Sequence, residues 1–371
     1  MNPVGLYIHI PFCVKKCNYC DFFSINATAE EMDIYTDNLI ANLSNWSIVI
    51  KERCVDTVYF GGGTPSVLGT ERINRILSDV FNNFNVDKSA EITIEVNPNS
   101  TGLVDFNSLS CNGINRISMG LQSAVDEELR ILGRSHTFSD ASYSIERIIA
   151  SGIDNFSLDV MLGIPLQTFE SLDKTLNFCI DSGATHISTY MLKIENNTSF
   201  YINRSKYVFA DDDMQADLYE HTCKRLSSAG FRHYEISNFC KENYISRHNM
   251  KYWLLEDYIG TGPSAHSLLD GKRYYYPRNI QDFYENNLKF ESHGHTLEEY
   301  IMLSLRTDTG LVFSKYNELF NIHPSEKLIN EAKNLEKLGL VMVDNNSVRL
   351  TEKGYLVSNA VISRFLNIEI L

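Results

Sequence analysis

Basic residues are in short supply: 33 Lys and Arg stand against 47 Asp and Glu, a formal net charge of −14. A chain so acidic is not expected to adhere to nucleic acid or to an anionic membrane, because both reward basic patches. An acidic small ligand held by a few local arginines stays open. No run of about 18 apolar residues exists, so no membrane-spanning segment is expected, and peripheral membrane contact is all that remains. No signal peptide is expected, because the first residues read straight into a strand. Of eight cysteines, Cys54, Cys111, Cys179, Cys223 and Cys240 are scattered without the spacing of a disulfide framework. They are expected to pack as small apolar groups. Internal repeats and low-complexity tracts are also missing. A reduced cytoplasmic setting fits these absences. With 371 residues, 43% of them hydrophobic, the chain can build one large domain and a smaller one.

The other three cysteines are crowded together. Cys13, Cys17 and Cys20 sit in YIHIPFCVKKCNYCDF, directly after the short apolar strand Leu6–Ile10. Three thiolates this close can converge on one metal centre. They are one too few for the four irons of a [4Fe–4S] cube, which normally takes four cysteines. A cube held by three would leave one iron for a small molecule. The competing reading is zinc with His9 as fourth ligand, but zinc knuckles usually come in separated pairs and no second knuckle exists.

Strand and helix signals alternate through the first half. Strands are expected at Leu6–Ile10, Thr57–Phe60, Glu91–Val96, Arg116–Met119, Asn155–Val160 and His186–Leu192. Helices are expected at Glu31–Trp46, Glu71–Phe84, Asp140–Ala150 and Thr168–Ile180. Six β-α steps by about residue 230 mean a parallel sheet with helical crossovers, an open partial (β/α)6 TIM-like barrel. Chemistry in such barrels gathers at the C-terminal ends of the strands. Asp211-Asp212-Asp213 reads as a helix N-terminus. The tail shows helix, helix and hairpin, the pattern of a smaller α+β, winged-helix-like domain. The expected division is 1–230 for the barrel, 231–294 for a linking region and 295–371 for the C-terminal domain.

Polar groups recur at these strand ends. Gly61-Gly62-Gly63-Thr64-Pro65 follows strand two, and its glycines let backbone approach a ligand. Glu95 ends strand three, Gln122 follows strand four, Arg134 lies in LGRSH and Asp159 near the end of strand five. The ordered series YIHIPFC-x3-C-x2-C, GGGTP, EVNP, GLQS, LGRSH and LDVMLGIPLQ spans about 160 residues. It resembles the oxygen-independent coproporphyrinogen III oxidase family of the radical S-adenosylmethionine (SAM) superfamily. The resemblance implies a barrel of radical SAM type with Cys13, Cys17 and Cys20 on a [4Fe–4S] cluster and Tyr7 packed near it. It implies SAM contacts from Tyr19, Gly62, Gly63, Thr64, Glu95, Gln122, Arg134 and Asp159. A looser match at YMLKIE places a further contact near Lys193.

Two departures point to one branch. The oxidases carry a further cysteine just after the third, where this chain has Cys20-Asp21-Phe22, and they carry an N-terminal extension where this chain has six residues before Tyr7. Both match the HemW-type branch of heme chaperones, whose mark H-N-x-x-Y-W reads here His248-Asn249-Met250-Lys251-Tyr252-Trp253. On that resemblance heme is the cargo, handed to heme-acceptor proteins such as respiratory enzymes, with an electron donor serving the cluster. His248 becomes the candidate axial ligand of heme iron. By its residues alone it equally reads as a core histidine beside aromatic rings. The alternative is a true oxidase that decarboxylates propionates. Whether this chain is an enzyme is open at this point.

Overall fold

The computed structural model describes residues 2–369. Strands β1 (Val4–Ile10), β2 (Cys54–Gly62), β3 (Asn85–Val96), β4 (Arg116–Gln122), β5 (Phe156–Leu162) and β6 (His186–Met191) lie side by side in chain order. All five junctions are parallel. This is the expected open (β/α)6 arrangement. The crossover helices start where side chains close the first turn. Thr28 and Glu31 form a capping box for Ala29–Val49, and Thr137 and Asp140 form one for Phe138–Ala150. Each helix lays an apolar stripe on the sheet, such as Ile73, Ile76, Leu77 and Val80 of Gly69–Asn83. The outward-facing residues of β1, Val4, Leu6, Ile8 and Ile10, are fully buried beneath that layer. Asp211 caps helix Asp212–Ser228, as its acidic run suggested.

The segment 231–294 departs from the expected linking region. It adds β7 (Arg232–Glu235), β8 (Asn238–Cys240), β9 (Tyr258–Thr261), β10 (His266–Leu269), β11 (Lys272–Tyr275) and β12 (Lys289–His293) to the same sheet. Strand β9 pairs parallel with β1, so seven parallel strands run from β9 to β6. Antiparallel strands then pair on both flanks, β8 and β7 on one and β10 to β12 on the other. These strands are four or five residues long or less, too short for a clear alternation of polar and apolar residues. Beyond them come helix Leu297–Ser304, β13 (Leu311–Val312), helices Phe313–Phe320 and Glu326–Lys337, and the hairpin of β14 (Val341–Val343) and β15 (Ser347–Leu350). This is the expected winged-helix-like order, with β13, β15 and β14 as a separate three-stranded sheet. Two further helices, Glu352–Leu356 and Ser358–Glu369, follow.

Candidate functional site

The cysteine loop is pinned over the C-terminal ends of the strands. Gly63 donates its N–H to Ile10 O at 2.8 Å and Thr64 to Phe12 O at 2.8 Å, while Cys13 donates to Ile25 O at 3.0 Å. There is no room for a side chain at this seam: a Cβ on Gly63 would stand 2.7 Å from Phe12 O. Gly62, at φ 112°, adopts a conformation that favours glycine and offers its N–H to Glu95 Oε2 at 3.2 Å. Across the mouth, Asn18 donates to Leu132 O and accepts from the Phe200 amide. Tyr19 packs on a small second core of Leu132, Met161, Ile164, Leu192 and Phe200.

All three cysteines are free and half-buried. Cys13 Sγ lies 3.4 Å from Thr64 Oγ1, and Arg134 Nη1 donates to Cys17 Sγ at 3.5 Å. Burial pushes the Cys13 and Cys20 thiols up, and the charge of Cys17 adds to that effect on both. The three sulfurs do not all lie within 4.8 Å of one another. A tetrahedral zinc brings its sulfurs to about 3.8 Å of each other. Among the described residues the only three metal-type donors mutually within 4.8 Å lie elsewhere, and neither the cysteine trio nor His9 belongs to that group. His9 accepts from or donates to Tyr7 Oη at 3.0 Å through Nδ1 and faces the barrel interior beside Gly62. Wider spacing suits an inorganic core that separates its ligand thiolates, so these residues fit an iron–sulfur cube.

The remaining strand-end residues converge on the same mouth. Glu95 is enclosed, accepts from Tyr59 Oη at 2.8 Å, and is pushed up to about 7 chiefly by burial. Asp159 accepts from Ser118 at 3.3 Å and is pushed up to about 6, again chiefly by burial. Arg134 anchors Nη2 on Gly120 O at 2.8 Å and leaves its buried Nε without a partner. Gln122 sits at φ 67°, in the left-handed region uncommon for a non-glycine residue, with Oε1 buried and unpaired. His9 Nε2 is unpaired too. Buried polar atoms left over around three thiols, two costly carboxyls and one strained backbone mark a site shaped for a polar ligand. Tyr7 stacks beside Tyr59 at 6.2 Å below this layer. Lys193 stands apart, its side chain 80% exposed and paired with Glu195 at 2.6 Å.

His248 stands apart from the residues at the mouth. It is fully buried at the opposite end of the barrel, with Nδ1 2.8 Å from Thr57 Oγ1 and Nε2 2.9 Å from Tyr252 Oη. Its ring stacks on Tyr59 at 5.1 Å. Thr57 precedes Gly62 by five residues, about 16 Å along an extended strand. Both ring nitrogens are engaged, so neither is offered to iron in this conformation. The helix that carries it, Arg247–Trp253, is held by Glu91, whose two carboxylate oxygens accept the N–H groups of Arg247 and His248 at 3.0 Å each. Lys251, 2% exposed, pairs with Asp56 at 2.9 Å and Glu256 at 3.0 Å. The sequence motif reads as a plug, and the rings beside the histidine are its packing partners. In the sequence, Glu91 and Asp56 gave no sign of this because their partners lie more than 150 residues away. His248→Ala is expected to lower denaturant stability by about 3 kcal/mol, since it empties a buried ring site and strands two hydroxyls. If the chain is loaded with heme, the absorption of the variant should match that of the parent chain. A lost axial band would mean that the helix leaves the barrel when heme binds.

Comparison with known proteins agrees with this architecture. Residues 7–179 match the model of the radical SAM superfamily, and residues 292–357 that of the HemN C-terminal domain. The heme chaperone HemW of Lactococcus lactis is 31% identical over 98% of both chains. That of Buchnera aphidicola is 33% identical over 99% of both, and that of Escherichia coli 38% identical over 72% of this chain and 70% of its own. The solved coproporphyrinogen III oxidase HemN of Escherichia coli superposes with a TM-score of 0.84 at 23% identity, covering 98% of this chain and 90% of that one, which speaks for the shared fold. Full-length identity of this order, joined to the cysteine loop and its mouth, places the chain in the HemW heme-chaperone family of radical SAM proteins.

Proposed function

We propose that this chain binds heme and passes it to acceptor proteins, such as respiratory enzymes, under the control of a [4Fe–4S] cluster and SAM. The observation that carries the reading is the full-length relation to HemW chaperones combined with three free thiols in one loop at the strand ends. Cys13, Cys17 and Cys20 hold the cluster, with Tyr7 packed in the layer below. When bound, that cluster supplies an electron to the sulfonium of SAM at an iron free of protein ligands. The protein's share is orientation. The Arg134 fork meets the SAM carboxylate, and its Nε has a hydrogen bond to give. Glu95 and the carbonyls at Gly62–Gly63 meet the ammonium, and Thr64 holds the loop beside Cys13. Gln122 and Asp159 meet the ribose, with Tyr19 screening the mouth. An external electron donor reaches the cluster from the exposed side of the loop, where Val14, Lys15 and Lys16 face solvent.

Among the described residues no helix is long and apolar enough to cross a membrane. A cytoplasmic location, where thiols stay reduced, belongs to the proposal, as does transfer to partners at a membrane surface. The division into a barrel of 1–230, a segment 231–294 that carries the plug, and a module of 295–371 is proposed as functional and does not follow breaks in the sheet.

Two assays decide between carriage and oxidation. Heme-loaded protein mixed with an apo-hemoprotein is expected to give up its heme, read as the acceptor's own absorption band. Anaerobic incubation of the reconstituted chain with coproporphyrinogen, SAM and a reductant is expected to leave the propionates intact. Catalytic formation of the divinyl product would overturn the chaperone reading.

A further inference from the structure

Far from the barrel mouth, Cys223, His233 and Glu352 bring a sulfur, an imidazole nitrogen and a carboxylate oxygen within 4.8 Å of one another. They come from three elements: helix Asp212–Ser228, strand β7 and the first residue of helix Glu352–Leu356. We propose that these three residues form a Zn²⁺ site that ties the C-terminal module to the barrel.

The donor set is of the kind zinc takes, and the three atoms would draw together from within 4.8 Å to the roughly 3.5 Å that tetrahedral zinc requires. Two of the three are already fixed. Cys223 is fully buried on the face of its helix that also carries Tyr219, Thr222 and Leu226. The His233 ring lies flat on Phe239, 4.1 Å away and tilted by 12°. A neutral imidazole keeps one lone pair, on whichever ring nitrogen does not donate to a backbone carbonyl. Its Nε2 has long contacts, 3.5 Å to Tyr219 Oη and 3.4 Å to Ile236 O. A thiol that ligates zinc does so as the thiolate, so Cys223 gives up its proton when a cation takes its place. Zinc binding would therefore release one proton to solvent and set two positive charges against a thiolate and a carboxylate. Glu352 is exposed and marks the side from which an ion enters.

An independent sign comes from the surrounding atoms. Tyr355, three residues after Glu352, packs its ring 5.1 Å from that of His233, and its hydroxyl is buried without a partner. Glu235, two residues along β7, is fully buried with Oε1 unpaired. Such groups are rare in a finished interface. A zinc-bound water in the fourth position would give the hydroxyl a partner. Glu352 lies in the segment that matches the HemN C-terminal domain, whereas Cys223 and His233 precede it, so the ion would add a cross-link to two parts of the chain already joined by the Arg232–Asp308 ion pair and by backbone hydrogen bonds from Ile236 to Arg306 and from Asp308 to Tyr234.

The test uses the full chain with its cluster reconstituted anaerobically. The protein is equilibrated with two equivalents of Zn²⁺ and desalted, and zinc and iron are then measured in the same sample. One zinc per chain with iron unchanged is expected, with a melting temperature raised by several degrees. Cys223→Ala and Glu352→Gln should each lower retained zinc at least tenfold without loss of iron. Glu352→Gln alters an exposed side chain, so it remains informative if the cysteine variant folds poorly. A parent chain that retains no zinc, zinc gained only as iron is lost, or a Glu352→Gln variant that binds like the parent would overturn the site. These results are independent of the heme assays.

Discussion

Cys17→Ser is expected to reduce cluster iron and acid-labile sulfide to less than a tenth of the parent level after anaerobic reconstitution. A hydroxyl does not replace a thiolate on iron, and Cys13 and Cys20 alone hold too few positions. The fold should survive. Cys17 lies in a loop without helix or strand, and its one side-chain partner is Arg134 at 3.5 Å. Denaturant stability of the cluster-free proteins should agree within about 0.5 kcal/mol, the usual range for a change outside the core. Cys54→Ser, on β2 at the far end of the barrel, serves as the control and should load normally. Equal iron in Cys17→Ser and the parent chain would remove the ligand assignment and, with it, the proposed function.

The second large effect runs in two directions at once. Glu95→Gln is expected to weaken SAM binding by about 10- to 100-fold, the loss of one hydrogen-bonded charge. The same change should stabilise the ligand-free protein at pH 8. Burial raises the Glu95 carboxyl from 4.5 to about 7. The native state therefore keeps a proton that the unfolded chain releases as pH passes 4.5, and stability falls with rising pH from there to about 7. Above that window the full cost of a buried carboxylate is present, and each unit of the shift corresponds to about 1.4 kcal/mol. An amide avoids this cost but cannot accept both the Tyr59 hydroxyl and the Gly62 N–H, which returns part of the gain. A net increase of about 1–2 kcal/mol at pH 8, vanishing near pH 4, is expected in denaturant titrations at the two pH values. Equal stability at both would mean that Glu95 is not the strained group described above.

The residues that could be read in the sequence share a property: their signal is local. The strand cores of β1 to β6, the capped helices and the cysteine loop each declare themselves within a dozen residues, by apolar period or by turn chemistry. Glycine spacing likewise announced the end of β2. What the sequence hid depends on partners far away. Strand β9 joins β1 only because helix Arg247–Trp253 carries the chain back under the barrel, and four residues do not show a period. His248 is the instructive case. A histidine among aromatics is the same string of letters whether it faces iron or a threonine and a tyrosine. Thr57, its partner in this conformation, lies nearly two hundred residues earlier. The pairing of Cys223 with His233 and Glu352 was hidden for the same reason, since the thiol alone reads as a small apolar residue.

The plug under the barrel also bears on traffic. With Glu91 locking the helix ends and Lys251 buried between two acids, the floor is sealed by charged groups that would be costly to expose. A ligand entering along the barrel axis would then use the other end, the one beside the cysteine loop. On the proposed function, a recipient collecting heme at that mouth would stand beside the cluster, so unloading and the state of the metal centre would share one threshold.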